Sequence, residues 1–103
     1  MSKVREIYAK LWSVVTSDRD KAANKIAEIE RDYNKEVLRR KNGANEASII
    51  FEDGVWLRWV RPSDSARGYR HGKMWCDKNI PRDIFRCVIL PKYFGKYEDI
   101  LWF

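Results

Sequence analysis

The chain is short of the residues that mark several protein classes. Its 103 residues include two cysteines and one histidine. A secreted disulfide scaffold would carry more cysteines, and a tetrahedral zinc site would need further ligands at metal spacing. We therefore expect Cys76 and Cys87 to be buried and reduced, and we expect neither a metal nor a cofactor.

Long apolar runs and catalytic motifs are also missing. No apolar stretch approaches the roughly 20 residues that cross a bilayer, and residues 1–6 contain no secretory apolar core. P-loop, GxGxxG, GxSxG and HExxH motifs are all lacking. These absences favour a cytoplasmic, non-enzymatic protein without a membrane partner, and the length favours a single domain over residues 1–103.

Glycine and proline are confined to the second part of the chain. Residues 1–42 have neither and are rich in Lys, Glu, Arg and Ala, which favour helix, whereas all eight glycines and prolines lie in residues 43–103. This shift predicts an α+β fold, with a helical part packed on a small, mainly antiparallel sheet.

Two apolar stripes predict the helical part. They consist of Val4, Tyr8, Leu11 and Val15, and of Ala22, Ile26, Ile29, Tyr33 and Val37. Ser17 with Asp20 resembles a capping box and favours a break, but the stripes are also in phase for one long helix. A helical hairpin and a single helix therefore both remain open. Arg39-Arg40-Lys41 followed by Asn42-Gly43 predicts where the helix ends, and the same basic run could also contact phosphates.

The β-rich part contains several strand signals. Residues 47–60 read as a hairpin around Asp53-Gly54, a two-residue loop that would place Phe51 opposite Trp56 and Ile50 opposite Leu57. Residues 73–76 and 84–90 read as a third and a fourth strand. The apolar tail after Lys92 should form a last strand or short helix, or should dock on a partner.

Basic and aromatic residues are densest between positions 56 and 73. The net charge of the chain is +6, and the segment from Arg58 to Lys73 has five positive residues and one negative residue. Arginine beside aromatic rings is typical both of nucleic-acid surfaces and of protein interfaces. A third interpretation places the tryptophans in the core and leaves the arginines solvated. The candidate binding residues are Trp56, Arg58, Arg61, Arg67, Tyr69, Arg70, His71 and Lys73.

These features favour a small binding protein that docks on a larger protein or nucleoprotein complex and inhibits or modulates it. The profile resembles the small accessory proteins of phages and mobile elements, such as anti-CRISPR and anti-restriction inhibitors. Direct DNA or RNA binding through the same residues is the first alternative. The apolar edge of the helices could also form a homodimer.

A small ribonuclease is the second alternative. Residues 67–73 contain the arginine, tyrosine, histidine and lysine that such enzymes use, and helices followed by strands are similar to the order in RelE-like toxins. In this interpretation no strand precedes the helices, and no motif of that class is present.

Overall fold

The computed structural model describes residues 10–62, 72–92 and 97–103 of the chain. Within these ranges the strands are β1 (Leu11–Val15), β2 (Val37–Asn42), β3 (Ala47–Phe51), β4 (Trp56–Val60), β5 (Lys73–Cys76) and β6 (Leu101–Trp102). Helix α1 spans Arg19–Tyr33, and a short helix α2 spans Arg82–Ile84. The α+β class is confirmed. No helix in the described ranges is long and apolar enough to cross a membrane.

The six strands form one mixed sheet in the order β2-β3-β4-β1-β5-β6. Strands β2, β3 and β4 are antiparallel neighbours, whereas β1 runs parallel to both β4 and β5, and β6 runs parallel to β5. The expectation of a mainly antiparallel sheet is therefore wrong. The parallel half exists because β1, from the start of the chain, is inserted between two later strands.

Residues 11–15 form the central strand β1, so the prediction of helix at this position is wrong. Val14 and Val15 are fully buried on opposite faces of the sheet, and a strand buried on both faces has no polar alternation to reveal it. The spacing of Leu11 and Val15 fitted a helical stripe by coincidence. Residues 1–9, which carry the start of that stripe, lie outside the described residues.

Helix α1 begins where the sequence favoured a break, but its cap is Asp18. The carboxylate of Asp18 accepts hydrogen bonds from the backbone N–H groups of Asp20 and Lys21, at 2.9 and 3.3 Å. The helix ends at Asn34, which adopts a left-handed conformation with φ 54° and donates its N–H to the Glu30 carbonyl oxygen. Asparagine is one of the few non-glycine residues that tolerates this conformation.

The segment 37–42 is therefore strand β2 and not the end of a helix. Asn42 is its last residue, and Gly43 opens the turn to β3 by donating its N–H to the Glu46 carbonyl oxygen at 2.8 Å. The helical part of the chain is thus shorter than residues 1–42, and strands lie on both sides of α1.

The hairpin of β3 and β4 is confirmed, but its register differs by one residue. Ile50 lies opposite Trp56 and Ile49 lies opposite Leu57. The loop has three residues, because Phe51 and Val55 still pair through the Phe51 N–H at 2.9 Å. Gly54 has φ 91°, as a three-residue loop with a left-handed glycine requires.

Strand β5 is confirmed at residues 73–76, whereas the predicted strand at 84–90 is wrong. Helix α2 continues into a π-helical turn (Phe85–Ile89) and a 3-10 turn (Leu90–Lys92). Phe85 and Ile89 are buried while Cys87 is exposed, a pattern that fits a helical period and not strand alternation. The apolar tail forms β6 after a 3-10 turn (Tyr97–Asp99).

Apolar clusters lie on both faces of the sheet. Helix α1 covers one face with Ala22, Ile26 and Ile29, which pack on Leu57 and Phe51. Because its apolar stripe is used in this way, a homodimer through α1 would need another surface.

The second cluster lies on the face opposite α1. The segment from Ile80 to Leu90 covers the β5 side of that face, over Val15, Val60 and Met74. The same face also extends across β4, β3 and β2, where basic residues lie.

Candidate functional site

The structure describes four of the eight predicted binding residues and brings only two of them, Trp56 and Arg58, together. These four are Trp56, Arg58, Arg61 and Lys73. The remaining four, Arg67, Tyr69, Arg70 and His71, lie outside the described residues.

Trp56 and Arg58 lie two residues apart on β4, so their side chains project from the same face of the sheet, opposite α1. The Arg58 guanidinium carbon is 5.0 Å from the centroid of the Trp56 ring, within the range of a cation–π interaction. Trp56 is 38% exposed, whereas Arg58 is 9% exposed. The buried arginine thus holds an exposed aromatic ring in a defined position.

Two basic residues of β2 lie on that same face, and the sequence interpretation missed them as partners of Trp56. The strand register places Arg39 opposite Ile50 and Ile50 opposite Trp56, while Lys41 lies two positions further along β2. Both basic side chains are exposed. We define the sheet-face patch as Arg39, Lys41, Ile50, Trp56 and Arg58.

The third basic residue of β2 points the other way. Arg40 lies on the α1 face and donates two hydrogen bonds to the Glu30 carboxylate, at 2.8 and 2.7 Å. The hydrogen bond from Arg40 lowers the pKa of Glu30, against a smaller opposing effect of burial. Strand alternation therefore places Arg40 against α1, where it binds Glu30, and leaves Arg39 and Lys41 exposed on the opposite face. The alternation was not recognised because the run was assigned to a helix.

Arg61 lies just beyond the carboxyl end of β4, an interior strand of the sheet. Its guanidinium carbon is 4.6 Å from the Trp59 ring centroid, and its Nη2 donates to Asn45 Oδ1 at 3.0 Å. Trp59 itself donates its ring N–H to the Thr16 carbonyl oxygen at 2.8 Å. These contacts give Arg61 and Trp59 a structural role.

Lys73 lies near the opposite end of the sheet, on the α1 face. Its Nζ is 5.0 Å from the Trp12 ring centroid and 5.7 Å from that of Trp75. Lys73 therefore covers an aromatic cluster on the face opposite the sheet-face patch, and the structure does not join it to Trp56.

A buried carboxylate lies where the parallel strands β1 and β5 end, and the sequence interpretation gave it no role. Asp77 is 4% exposed and accepts hydrogen bonds from Thr16 Oγ1 at 2.7 Å and from Lys21 Nζ at 3.1 Å. The Asn79 N–H is a third donor, at 2.9 Å. Burial tends to raise the pKa of Asp77, but these donors outweigh it and the pKa lies below its ordinary value. The cluster joins β1, α1 and β5.

A groove of about 650 Å³ lies beside α2 and β6. We call it the C-terminal groove. Its described lining residues are Lys78, Ile80, Arg82, Phe85, Arg86, Leu90 and Trp102. The sequence interpretation missed this groove because it placed residues 84–90 in a strand.

The two cysteines differ in environment, which corrects the expectation that both are buried. Cys76 is fully buried in β5, and burial raises the pKa of its thiol to about 12. Cys87 is exposed, and both are free thiols. No group of three or more histidine, cysteine or acidic residues suited to a metal occurs within the described ranges.

Comparisons with models of protein families, with curated proteins and with solved structures find no match for this chain. The candidate site therefore rests on the geometry of the chain itself.

One objection to the ribonuclease interpretation is removed, because strand β1 does precede helix α1. Of the residues to which a catalytic role was assigned, only Lys73 is described, and it lies over Trp12 and Trp75.

Proposed function

We propose that this protein is a non-catalytic binding protein that docks on a larger protein or nucleoprotein complex through the sheet-face patch and thereby inhibits or modulates it. The observation that carries the proposal is the exposed Trp56 ring beside Arg58, with Arg39 and Lys41 on the two adjoining rows of the same face. Tryptophan and arginine are the residues that contribute most to binding at protein interfaces.

The charge of the patch defines the chemistry of the partner. Arg39 and Lys41 form no ion pair with any carboxylate in the part of the chain that the structure describes. A partner surface with carboxylates or phosphates would complement them and would raise the rate of association. Trp56 would supply apolar contact area beside these charges.

The position of the patch next to an edge strand also supports docking. All of β2 beyond Val37 is exposed, and Leu38 is 67% exposed. A partner can therefore reach the patch from the β2 side.

The proposal is tested by comparing two sets of variants in affinity capture from the source cells. The first combines Trp56→Ala with Arg39→Gln and Lys41→Gln, and the control combines Arg31→Gln with Lys35→Gln at the end of α1. We expect the first set to weaken partner binding at least about 30-fold, since a buried interface tryptophan alone contributes about 2 kcal/mol or more. The control should bind like the unaltered protein.

Two measurements make the result decisive. Circular dichroism and urea unfolding must show that the patch variant is folded, because Trp56 also contacts Arg58. Retention of full partner affinity by a folded patch variant would overturn the proposal.

Direct nucleic-acid binding through the same patch is the second candidate, because Arg39, Lys41 and an exposed tryptophan also suit phosphates and bases. Nuclease treatment before capture separates the two. Capture of the same protein after nuclease treatment favours docking on a protein. Loss of all captured material, together with salt-sensitive binding of an oligonucleotide, favours the nucleic-acid candidate.

A further inference from the structure

The C-terminal groove concentrates positive charge at a second place on the molecule. Lys78 follows β5, and Arg82 and Arg86 lie four residues apart along the helical segment that begins at Arg82. The described lining residues include these three cations and no carboxylate. In those described ranges, no ion pair involves any of the three. The groove is therefore suited to an anionic ligand.

Aromatic rings line the same groove. Trp102 is 42% exposed. The centroid of its ring lies 4.9 Å from the centroid of the Phe85 ring, at an interplanar angle of 52°. This tilted contact supports one side of the indole while the groove leaves another side open. A volume of about 650 Å³ is within the range of sites that hold a small molecule or a few nucleotides.

The helical segment beside the groove has an unusual geometry. The Leu90 N–H donates to the Phe85 carbonyl oxygen, five residues earlier, so residues 85–89 form a π-helical turn. Such turns are rare and occur frequently at functional sites. Here the turn follows directly on α2 and contains Arg86, one of the three cations.

We infer that the C-terminal groove binds single-stranded nucleic acid, with phosphates on Lys78, Arg82 and Arg86 and a base stacked on Trp102. Cations that track a backbone, together with an aromatic platform for bases, are the two elements of single-strand binding surfaces. This inference does not depend on the proposed function, because the groove and the sheet-face patch share no residue.

A single strand fits the groove better than a duplex or an acidic peptide. Duplex bases are stacked on one another and cannot lie on the indole, whereas an unpaired base can. An acidic peptide would satisfy the cations but would leave the open face of Trp102 without a flat partner. The lining residues in the described ranges include no amide or carboxylate side chain. With the three cations bound to phosphates, few groups remain to read base edges, so we expect little sequence preference.

The test is fluorescence anisotropy of a labelled oligonucleotide of about ten nucleotides, measured with the full chain across about 50 to 200 mM salt. With three phosphate contacts, the logarithm of the association constant should fall against the logarithm of salt with a slope of about −2. Affinity should therefore decrease roughly 20-fold over this range. Duplex of the same length should bind more weakly.

Matched variants assign the binding to the groove. Arg82→Gln with Arg86→Gln should reduce the slope to about −0.7, while Arg31→Gln with Lys35→Gln, which removes the same charge near the end of α1, should leave it unchanged. Trp102→Ala should weaken binding at least about fivefold, and Trp102→Phe should restore most of it. Each variant is checked for folding by circular dichroism.

Several results would overturn the inference. The first is that the protein does not bind the oligonucleotide at about 50 mM salt. The second is that the folded variant with Arg82→Gln and Arg86→Gln binds as tightly as the unaltered protein. The third is that inorganic polyphosphate binds as tightly as the oligonucleotide. Tighter binding of a free nucleoside monophosphate than of the strand would also overturn it, because it would identify a small-molecule site. Loss of binding only in the patch variant with Trp56→Ala, Arg39→Gln and Lys41→Gln would overturn it and would favour the nucleic-acid candidate at the patch.

Discussion

Asp77 connects three elements through a single carboxylate. It lies at the carboxyl end of β5 and accepts hydrogen bonds from Thr16, after β1, and from Lys21, in α1. Removing one member of a buried charged cluster leaves its partners unsatisfied. Lys21 is 38% exposed, so solvent compensates for part of the loss.

The first prediction concerns Asp77 and pH. The pKa of this carboxyl lies below the ordinary 3.8 in the folded state. Its stabilising contribution is therefore present above that ordinary value and is lost as the pH falls through the folded-state pKa. We expect Asp77→Asn to lower the free energy of unfolding by about 2 kcal/mol at neutral pH.

Urea unfolding at a series of pH values measures both effects. The unaltered protein should lose stability below about pH 4, and Asp77→Asn should show a shallower loss. The stability of the variant should still decrease somewhat as the pH falls, because two other carboxyls have lowered pKa values. Glu30 accepts hydrogen bonds from Arg40, and Asp53 accepts one from Tyr33. The control Asp99→Asn, at an exposed position, should change little. Equal pH profiles for the unaltered protein and Asp77→Asn would contradict this assignment.

The second prediction concerns the two thiols. Cys87 is exposed, whereas Cys76 is fully buried with its thiol pKa raised to about 12. Because the thiolate is the reactive species, one thiol per chain should react with a thiol reagent in the native protein and two should react in denaturant. Cys87→Ser should remove the native reaction. Two reactive thiols under native conditions would show that β5 is not packed as described.

At the scale of elements, the cap of α1 is one residue later than the sequence predicts. Ser17 fits a capping-box pattern, but Asp18 is the residue whose carboxylate accepts from the free N–H groups of the first turn. We expect Asp18→Ala to lower the free energy of unfolding by about 1 kcal/mol. Ser17→Ala is the matched control and should have an effect within about 0.5 kcal/mol. Urea unfolding measures both, and a larger loss for Ser17→Ala would contradict the observed cap.

Elements with strong local signals could be predicted from the sequence. Strands β3 and β4 have a turn signal between two apolar runs, and β5 ends before a polar turn. The core of α1 was also predictable, because Ala22, Ile26 and Ile29 recur at helical spacing on a polar background. In each case local preference and tertiary packing agree.

Elements decided by tertiary contacts could not be predicted in this way. Strand β1 is recognisable only through its parallel partners β4 and β5, which lie far along the chain. Strand β2 depends on Asn34 stopping the helix, a weaker signal than the Asn42-Gly43 pair. The observed hairpin register differs from the predicted one by one residue, because Gly54 closes a three-residue loop. A shift of this size exchanges the two faces of one strand relative to the other.

At the scale of the molecule, two surfaces on the side opposite α1 combine positive charge with an exposed tryptophan in the described part of the chain. The sheet-face patch combines Arg39 and Lys41 with Trp56, and the C-terminal groove combines Arg82 and Arg86 with Trp102. Two of the five residues of the first surface, Trp56 and Arg58, could be predicted from the density of arginine and aromatic residues. The second surface could not be predicted, because the groove exists only when residues 82–92 are helical.

The affinity of the captured partner for three single variants of β2 decides whether the sheet-face patch is the binding surface. These are Arg39→Gln, Arg40→Gln and Lys41→Gln, which remove the same charge from adjacent positions. Strand alternation places Arg39 and Lys41 on the binding face and Arg40 against Glu30. We expect the first and third variants to weaken binding several-fold and Arg40→Gln to leave it unchanged. Equal weakening by all three, or weakening by Arg40→Gln alone, would contradict both the strand and the site.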